Sequence, residues 1–254
     1  MKNAKTDSVR ATETSLAVLS GIETLGGGAT LAELTDELEF AKSTIYKHLN
    51  TLEKGGLVVM RDNEYLIGLR CLELGGIAQR YDGIYEVAKP EVRRMAVETG
   101  ELANLMIEEH GYGIYIHTTS GDQAVNLDTS LGKRVHLHQT AIGKALLSSF
   151  SDERVEEILD RHGLPGETDN TITDREALFE ELETIRAEGI AYDKEERVNG
   201  TGCVGVPVET GDRREAAISI TAPINRMAAP ERESEIIDTV KQAANVIEVN
   251  LAHK

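Results

Sequence analysis

Three features of the sequence predict an α+β protein built in two parts. Residues 15–67 carry three helical patterns separated by short breaks, then two β-prone runs around a polar turn, which is the pattern of a winged helix-turn-helix. Residues 101–221 mix alternating runs with amphipathic helices, which suits a mainly antiparallel sheet with helices packed on it. Beyond them Ile236, Val240, Ala243, Ala244, Ile247 and Leu251 recur at helical spacing and predict a long closing helix. The length of 254 residues accommodates two domains. The expected divisions are 1–68 for the winged helix, 69–86 for a connecting helix and 87–254 for the second domain.

In order along the chain, residues 1–14 are polar and expected to fray. The first helix is expected over Ser15–Leu25 and is closed by Gly26-Gly27-Gly28. Thr30-Leu31-Ala32-Glu33 reads as a capping box opening a helix that runs to about Glu39. The third helix runs from Ala41 or Lys42 to about Lys54, where Gly55-Gly56 stops it. Leu57–Met60 and Tyr65–Ile67 then flank Arg61-Asp62-Asn63-Glu64 as a hairpin. Leu69, Leu72, Leu74, Ile77 and Ile84 give the connecting helix, with a possible bend at Gly75-Gly76, and Pro90 fits the first turn of a helix over Glu91–Glu98.

In the second part, Leu102–Glu108 and Ile114–Thr118 flank His110–Gly113 as a hairpin, and Ala124–Leu127 reads as a third strand. Helices follow over Thr140–Phe150 and Ser151–Arg161. Another opens at the capping box Thr173-Asp174-Arg175-Glu176 and ends at Gly189. Two late strands, Cys203–Val208 and Ala216–Thr221, turn around Gly211-Asp212.

Composition narrows the class. Cys71 and Cys203 give neither metal-ligand spacing nor a disulfide framework. No apolar run approaches the ~18 residues that span a bilayer, and Met1–Asp7 lacks the apolar core of a secretion signal. A cytoplasmic protein without a membrane partner is expected. The net charge of −17, the few aromatics and the absence of Trp resemble proteins of salt-loving cells, an ordinary acidic cytosolic protein being the alternative. The acid is uneven. Residues 1–81 hold 9 Lys and Arg against 11 Asp and Glu, and between 41 and 61 Lys42, Lys47, Lys54 and Arg61 face only Glu53. A local basic stripe is what phosphate contact needs.

Helical geometry sharpens the third helix. With Ile45 at 0°, Leu49 falls at about 40° and Leu52 at about 340°, while Ser43, Lys47 and Asn50 fall at about 160°, 200° and 140°. The outward face is short, polar and basic, as a helix entering the major groove requires. Ser43, Thr44, Tyr46 and Lys47 are assigned base or near-base contact, Lys42 a phosphate, and Arg61 on the wing the backbone or minor groove. Alone, such a face is more often merely solvated; its place in a winged-helix frame changes the reading. His48, at about 300°, borders the core stripe and is read as packing.

Lys42–Leu49, continuing to Leu52-Glu53-Lys54-Gly55-Gly56-Leu57-Val58, resembles the IclR family of regulators. So do Tyr65–Gly68 with Leu72–Gly75, Leu137–Leu147, Gly202–Val208 and Ala217–Pro223, which fall in family order from about residue 12 onward. Ala41 stands where the family often has Pro, Lys47 where Arg is usual, His48 where an apolar residue is common, and Thr221-Ala222 where Ser-Gly is frequent. The resemblance implies a GAF-like effector-binding second domain, a homodimer or a tetramer of paired dimers, double-stranded operator DNA as partner, and a small carboxylate, sugar acid or aromatic acid as effector. It implies a pocket lined by Val135, Ala141, Ile142, Asp193, Cys203, Ser219 and Thr221, with Ala124 a weaker candidate. Ser219 and Thr221 share one strand face by alternation, and the helix start at Thr140 offers N–H groups to an anion. Read without the resemblance, those hydroxyls would more often face solvent and Cys203 would be packing.

Two other classes share some of these residue types. His117, His136, His138, Cys203 and Asp193 could in principle form a Cys-His site, but no catalytic motif accompanies them. His136 and His138 would share a strand face without a third metal ligand. No enzyme, metal or cofactor is therefore expected. An interaction module without DNA binding is opposed by the Lys42–Lys47 face.

Overall fold

The computed structural model describes residues 8–81, 83–211 and 214–253. It divides into a unit ending at Ala78 and a unit beginning at Gln79. Two expectations touch undescribed positions: the polar start at residues 1–7, and Asp212 of the late turn.

In the first unit α1 spans Arg10–Thr24, five residues ahead of the expected start. The extra turn is held because Thr14 is buried with Val18 and Ile22, and its hydroxyl bonds back to the Arg10 carbonyl. Gly26 and Gly27 take left-handed φ of 88° and 93°, which turns the chain into β1, Gly28–Ala29. Helix α2, Leu31–Glu37, opens with the expected capping box: Glu33 N–H donates to the Thr30 hydroxyl, and Thr30 N–H donates to the Glu33 carboxylate at 2.8 Å. That helix ends two residues before Glu39. Helix α3, Lys42–Lys54, buries Ile45, Leu49 and Leu52. Strands β2, Val58–Arg61, and β3, Glu64–Ile67, join through Asp62 and Asn63, both with positive φ, a turn whose twist matches an antiparallel pair. The sheet order is β1-β3-β2. Val18, Ile22, Leu34, Ile45, Leu49, Val58 and Tyr65 form the core beneath it.

The expected helix over 69–86 is two helices. Helix α4, Arg70–Gln79, runs unbroken through Gly75-Gly76, and α5 begins at Ile84 after Gly83 at φ 77°. Pro90 lies inside α5, Ile84–Thr99, rather than in its first turn. The core contacts of Ile84, Val87, Ala88 and Val92 hold the helix across the lost N–H.

The second unit is a six-stranded, wholly antiparallel sheet in the order β6-β5-β4-β9-β8-β7. Its strands are β4 Leu102–Glu109, β5 Tyr112–Ser120, β6 Arg134–His136, β7 Ala191–Lys194, β8 Thr201–Val208 and β9 Ala216–Pro223. The expected strand at Ala124–Leu127 is irregular chain in the 121–131 loop. Its apolar residues alternate poorly, and β5 pairs instead with the unforeseen β6. Helix α5 and the closing α10, Pro230–Ala252, cover one sheet face through Leu105, Ile116, Val204, Ile218 and Ile220. Helices α6 Ala141–Ser148, α7 Asp152–His162 and α8 Arg175–Glu188 cover the other, with Met106, Tyr115, Cys203 and Ala217 facing them. The cap of α8 is Asp174, accepting from Ala177 N–H, one residue after the expected Thr173. A short α9, Ile224–Met227, links β9 to α10. Among the described residues no helix is long and apolar enough to cross a membrane.

Candidate DNA interface and effector site

Helix α3 turns its charged face outward because its apolar stripe is fixed inward. Lys42, Ser43, Tyr46 and Lys47 are exposed, as is Arg61 at the end of β2. Thr44 is half-buried and lines a shallow groove with Arg10, Ala11, Thr14, Glu39, Phe40 and Ala41. It therefore has less free surface than its neighbours for reaching a base. Ala41, the N-cap, supplies no side-chain cap, so the first-turn N–H groups of α3 keep their affinity for an anion. His48 does not join the outward face. Its Nδ1 lies 2.8 Å from the Ser15 hydroxyl on α1.

The second site lies on the sheet face beneath α6. Strand register aligns two rows of polar side chains across that face. Asp193, Cys203 and Thr221 occupy paired positions on β7, β8 and β9. Ser219, Asn104 and Thr118 occupy paired positions on β9, β4 and β5. The Thr221 hydroxyl donates to Cys203 Sγ at 3.1 Å, and the Thr118 hydroxyl donates to Asn104 Oδ1 at 2.9 Å. Gly205, opposite Ser219, lets α6 approach: a Cβ there would lie 2.7 Å from the Ala141 carbonyl. Ala141 and Ile142 thus sit directly over the rows, and the Thr140 hydroxyl caps α6 by accepting from Gly143 N–H at 3.0 Å. A cavity of about 270 Å³ reaches Asp193 and Cys203 from the β7 side. A second, of about 320 Å³, lies between Leu102, Thr118 and Ser120 and the loop residues Ala124–Ser130.

Burial dominates the electrostatics. It pushes Asp193 up to about 7, although its carboxylate accepts from Glu196 N–H at 2.7 Å. It pushes the Cys203 thiol up to about 12, the reverse of what a nucleophile needs. Lys144, fully buried on α6, is neutralised by Glu196 at 2.8 Å and Glu181 at 3.0 Å. His117 faces the opposite side of the sheet, its ring against Tyr85 of α5, and cannot meet Cys203. His136 ends β6 while His138 lies in the following helical turn, Leu137–Gln139, so the shared strand face expected for them is not formed. Among the described residues no group of three or more His, Cys, Asp or Glu could hold a metal ion.

Matches to known proteins cover both units. A family model described as "Bacterial transcriptional regulator IclR C-terminal" matches residues 78–249, and one described as "Helix-turn-helix domain" matches residues 11–61. The chain belongs to the IclR family. It is 31% identical over 245 residues to "Probable HTH-type transcriptional regulator ArcR" of Halobacterium salinarum, covering 92% of this chain and 93% of that protein. The crystal structure of the Thermotoga maritima IclR matches with TM-score 0.75 and 30% identity, over 94% of this chain and 98% of that one. An IclR homologue from Microbacterium hydrocarbonoxydans, solved with 4-hydroxybenzoate, shares the fold at TM-score 0.82 and 22% identity, over 96% of this chain and all 100% of that one. The chain is a helix-turn-helix transcription regulator, as its relatives are, and not an enzyme.

Within this IclR-family frame the structure places Val135, Ala141, Ile142 and Cys203 in one buried cluster beneath α6, with Asp193, Ser219 and Thr221 in the adjoining polar rows. Val135 lies on β6, at the opposite edge of the sheet from Asp193 on β7. Sequence reasoning missed Asn104 and Thr118. Asn104 carried a usable signal: it is a polar residue inside the apolar run Leu102–Ile107, and a buried amide there requires partners. Arg197, in the loop between β7 and β8, was missed as well. Its guanidinium donates to the Asp128 carbonyl at 3.0 Å, and no sequence pattern signals that reach.

Proposed function

We propose that this IclR-family protein is a ligand-responsive regulator of a catabolic operon, reading operator DNA with α3 and sensing a small organic acid on the polar sheet face. The observation that carries the sensing reading is the pair of rows, Asp193–Cys203–Thr221 and Ser219–Asn104–Thr118, buried except for the half-buried Thr118. A sheet face packed against helices is normally apolar, and burying hydroxyls, an amide and a carboxyl there serves a ligand with matching groups. Asp193, held near neutrality, can donate to a ligand carboxylate rather than only repel it.

On the DNA side Ser43, Tyr46 and Lys47 face the bases, Lys42 and Arg61 the backbone, and Thr44 serves mainly the α1–α3 junction. A homodimer is supported by the apolar side chains that α4 leaves uncovered: Leu72 and Ile77 are 67% and 59% exposed, and α4 buries no residue. Such a dimer would present two α3 helices to a two-fold operator. The protein would act in the cytoplasm, where its operator is.

The test is an anisotropy titration of the full chain against DNA upstream of its own gene, with and without a panel of small carboxylates. Saturable, sequence-specific binding that a carboxylate shifts is expected. Absence of specific binding at every salt concentration would sink the DNA reading. DNA binding indifferent to every acid would sink the sensing reading.

A further inference from the structure

Arg197 is unusual in a chain with 44 Asp and Glu against 27 Lys and Arg. Its side chain is half-buried, yet among the described residues no carboxylate lies within ion-pair distance of it. Its hydrogen bond goes to a neutral acceptor, the Asp128 carbonyl of the 121–131 loop at 3.0 Å, while its charge acts at longer range on Tyr115 of β5 and on the Asp193 carboxyl. A guanidinium with no carboxylate in ion-pair contact is open to one, and its planar fork matches a carboxylate in two-pronged geometry.

The location adds a second argument. Asp128 lines the cavity of about 320 Å³ whose floor is Leu102, Thr118 and Ser120. Thr118 belongs to the polar row with Asn104 and Ser219. The roof, Ala124–Ser130, has no regular secondary structure. It is tied down by the Arg197 bond, by the Lys133–Asp128 ion pair at 2.5 Å, and by Arg226, which donates to the Gln123 carbonyl at 2.7 Å. The guanidinium therefore reaches the irregular roof of the cavity.

We propose that Arg197 recognises the carboxylate of the effector, and that its bond to the Asp128 carbonyl makes the 121–131 loop the element that responds when that position fills. This rests on the effector-site reading above and adds to it the anion-binding group and the moving part. Ser219 and Thr221 then serve the hydroxyl or keto groups of the same molecule, and Arg197 alone supplies charge.

The experiment uses the full chain at fixed ionic strength. Calorimetric titrations with sodium pyruvate, sodium lactate and sodium 4-hydroxybenzoate, each against its neutral amide, are run on wild type, Arg197→Gln, Arg197→Lys and the double variant Ser219→Ala, Thr221→Val. Wild type is expected to bind at least one carboxylate and not its amide. Arg197→Gln should weaken that binding about tenfold or more, with Arg197→Lys between the two. Without ligand, hydrogen exchange at 124–131 should rise in Arg197→Gln while Leu105 and Ile218 stay protected.

Carboxylate affinity undiminished in Arg197→Gln but lost in the double variant would overturn the inference and leave the effector site standing. Affinity unchanged in both would overturn both readings. No carboxylate binding in wild type, or a preference for the amides, would overturn the anion assignment. Unchanged exchange at 124–131 in Arg197→Gln would overturn the role of the loop.

Discussion

At the scale of single residues, charge and burial act in opposite senses at the two sites. Lys47 stands exposed on α3, where solvent screens it and only a DNA phosphate or base edge gives it a partner. Lys47→Ala should weaken operator binding by about 1–3 kcal/mol and relax preference at one base position, measured by anisotropy against single-base operator variants. Asp193 is buried, and burial raises its pKa to about 7. An acid whose folded pKa lies above its unfolded value favours folding most below the unfolded value, and that contribution is lost as pH rises through the folded one. Asp193→Asn should accordingly raise thermal stability relative to wild type at pH 8, and the advantage should shrink toward pH 4. An advantage that does not change over that range would contradict the assignment. Asn keeps an oxygen to accept from Glu196 N–H, so the comparison isolates the charge.

At the scale of elements, one close approach places α6 over the polar rows. Gly205 on β8 leaves room for the Ala141–Ile142 backbone, and a methyl group there would meet backbone atoms at 2.7–2.8 Å. Gly205→Ala should cost about 1–3 kcal/mol in urea unfolding and shift effector affinity, while the α3 face remains unaltered. The wing is set by its turn. Asp62 and Asn63, at φ 49° and 69°, form the two-residue loop that brings Arg61 opposite Glu64. Asn63→Gly relieves the left-handed cost, and the hairpin should gain some tenths of a kcal/mol, read from the unfolding midpoint. Periodicity made most helices legible, and α2, α3, α6 and α7 lie close to where their patterns place them. Short edge strands were not. Strands β6 and β7 have three and four residues, too few for alternation to register, and they exist because a neighbouring strand offers an unpaired edge.

At the scale of the whole molecule, the charge distribution sets how DNA binding depends on salt. The net charge of −17 resides almost entirely beyond residue 81. Lys42 and Arg61 are the phosphate contacts assigned to each α3 and wing, so a dimer should show a slope of log K against log salt of about −4. A slope near −10 would mean that many more basic side chains reach the backbone. The proposed dimer has its own check. Leu72→Glu with Ile77→Glu should leave the melting of the unit from Gln79 onward unchanged, while light scattering shows monomers and operator affinity falls.

The sequence by itself determined the helices, the wing, the outward basic face of α3 and the family, because these depend on local periodicity, capping and motifs that neighbouring residues specify among themselves. It also marked Asp193, Cys203, Ser219 and Thr221, though only through the resemblance. Tertiary structure decided which residues share a face across strands distant in sequence. Register placed Asn104 of β4 beside Ser219 of β9, and packing gathered Val135 of β6 with Ala141, Ile142 and Cys203. It also laid Arg197 across to Asp128. Strand order and the reach of one long side chain are properties of the assembled sheet, and no window along the chain contains them.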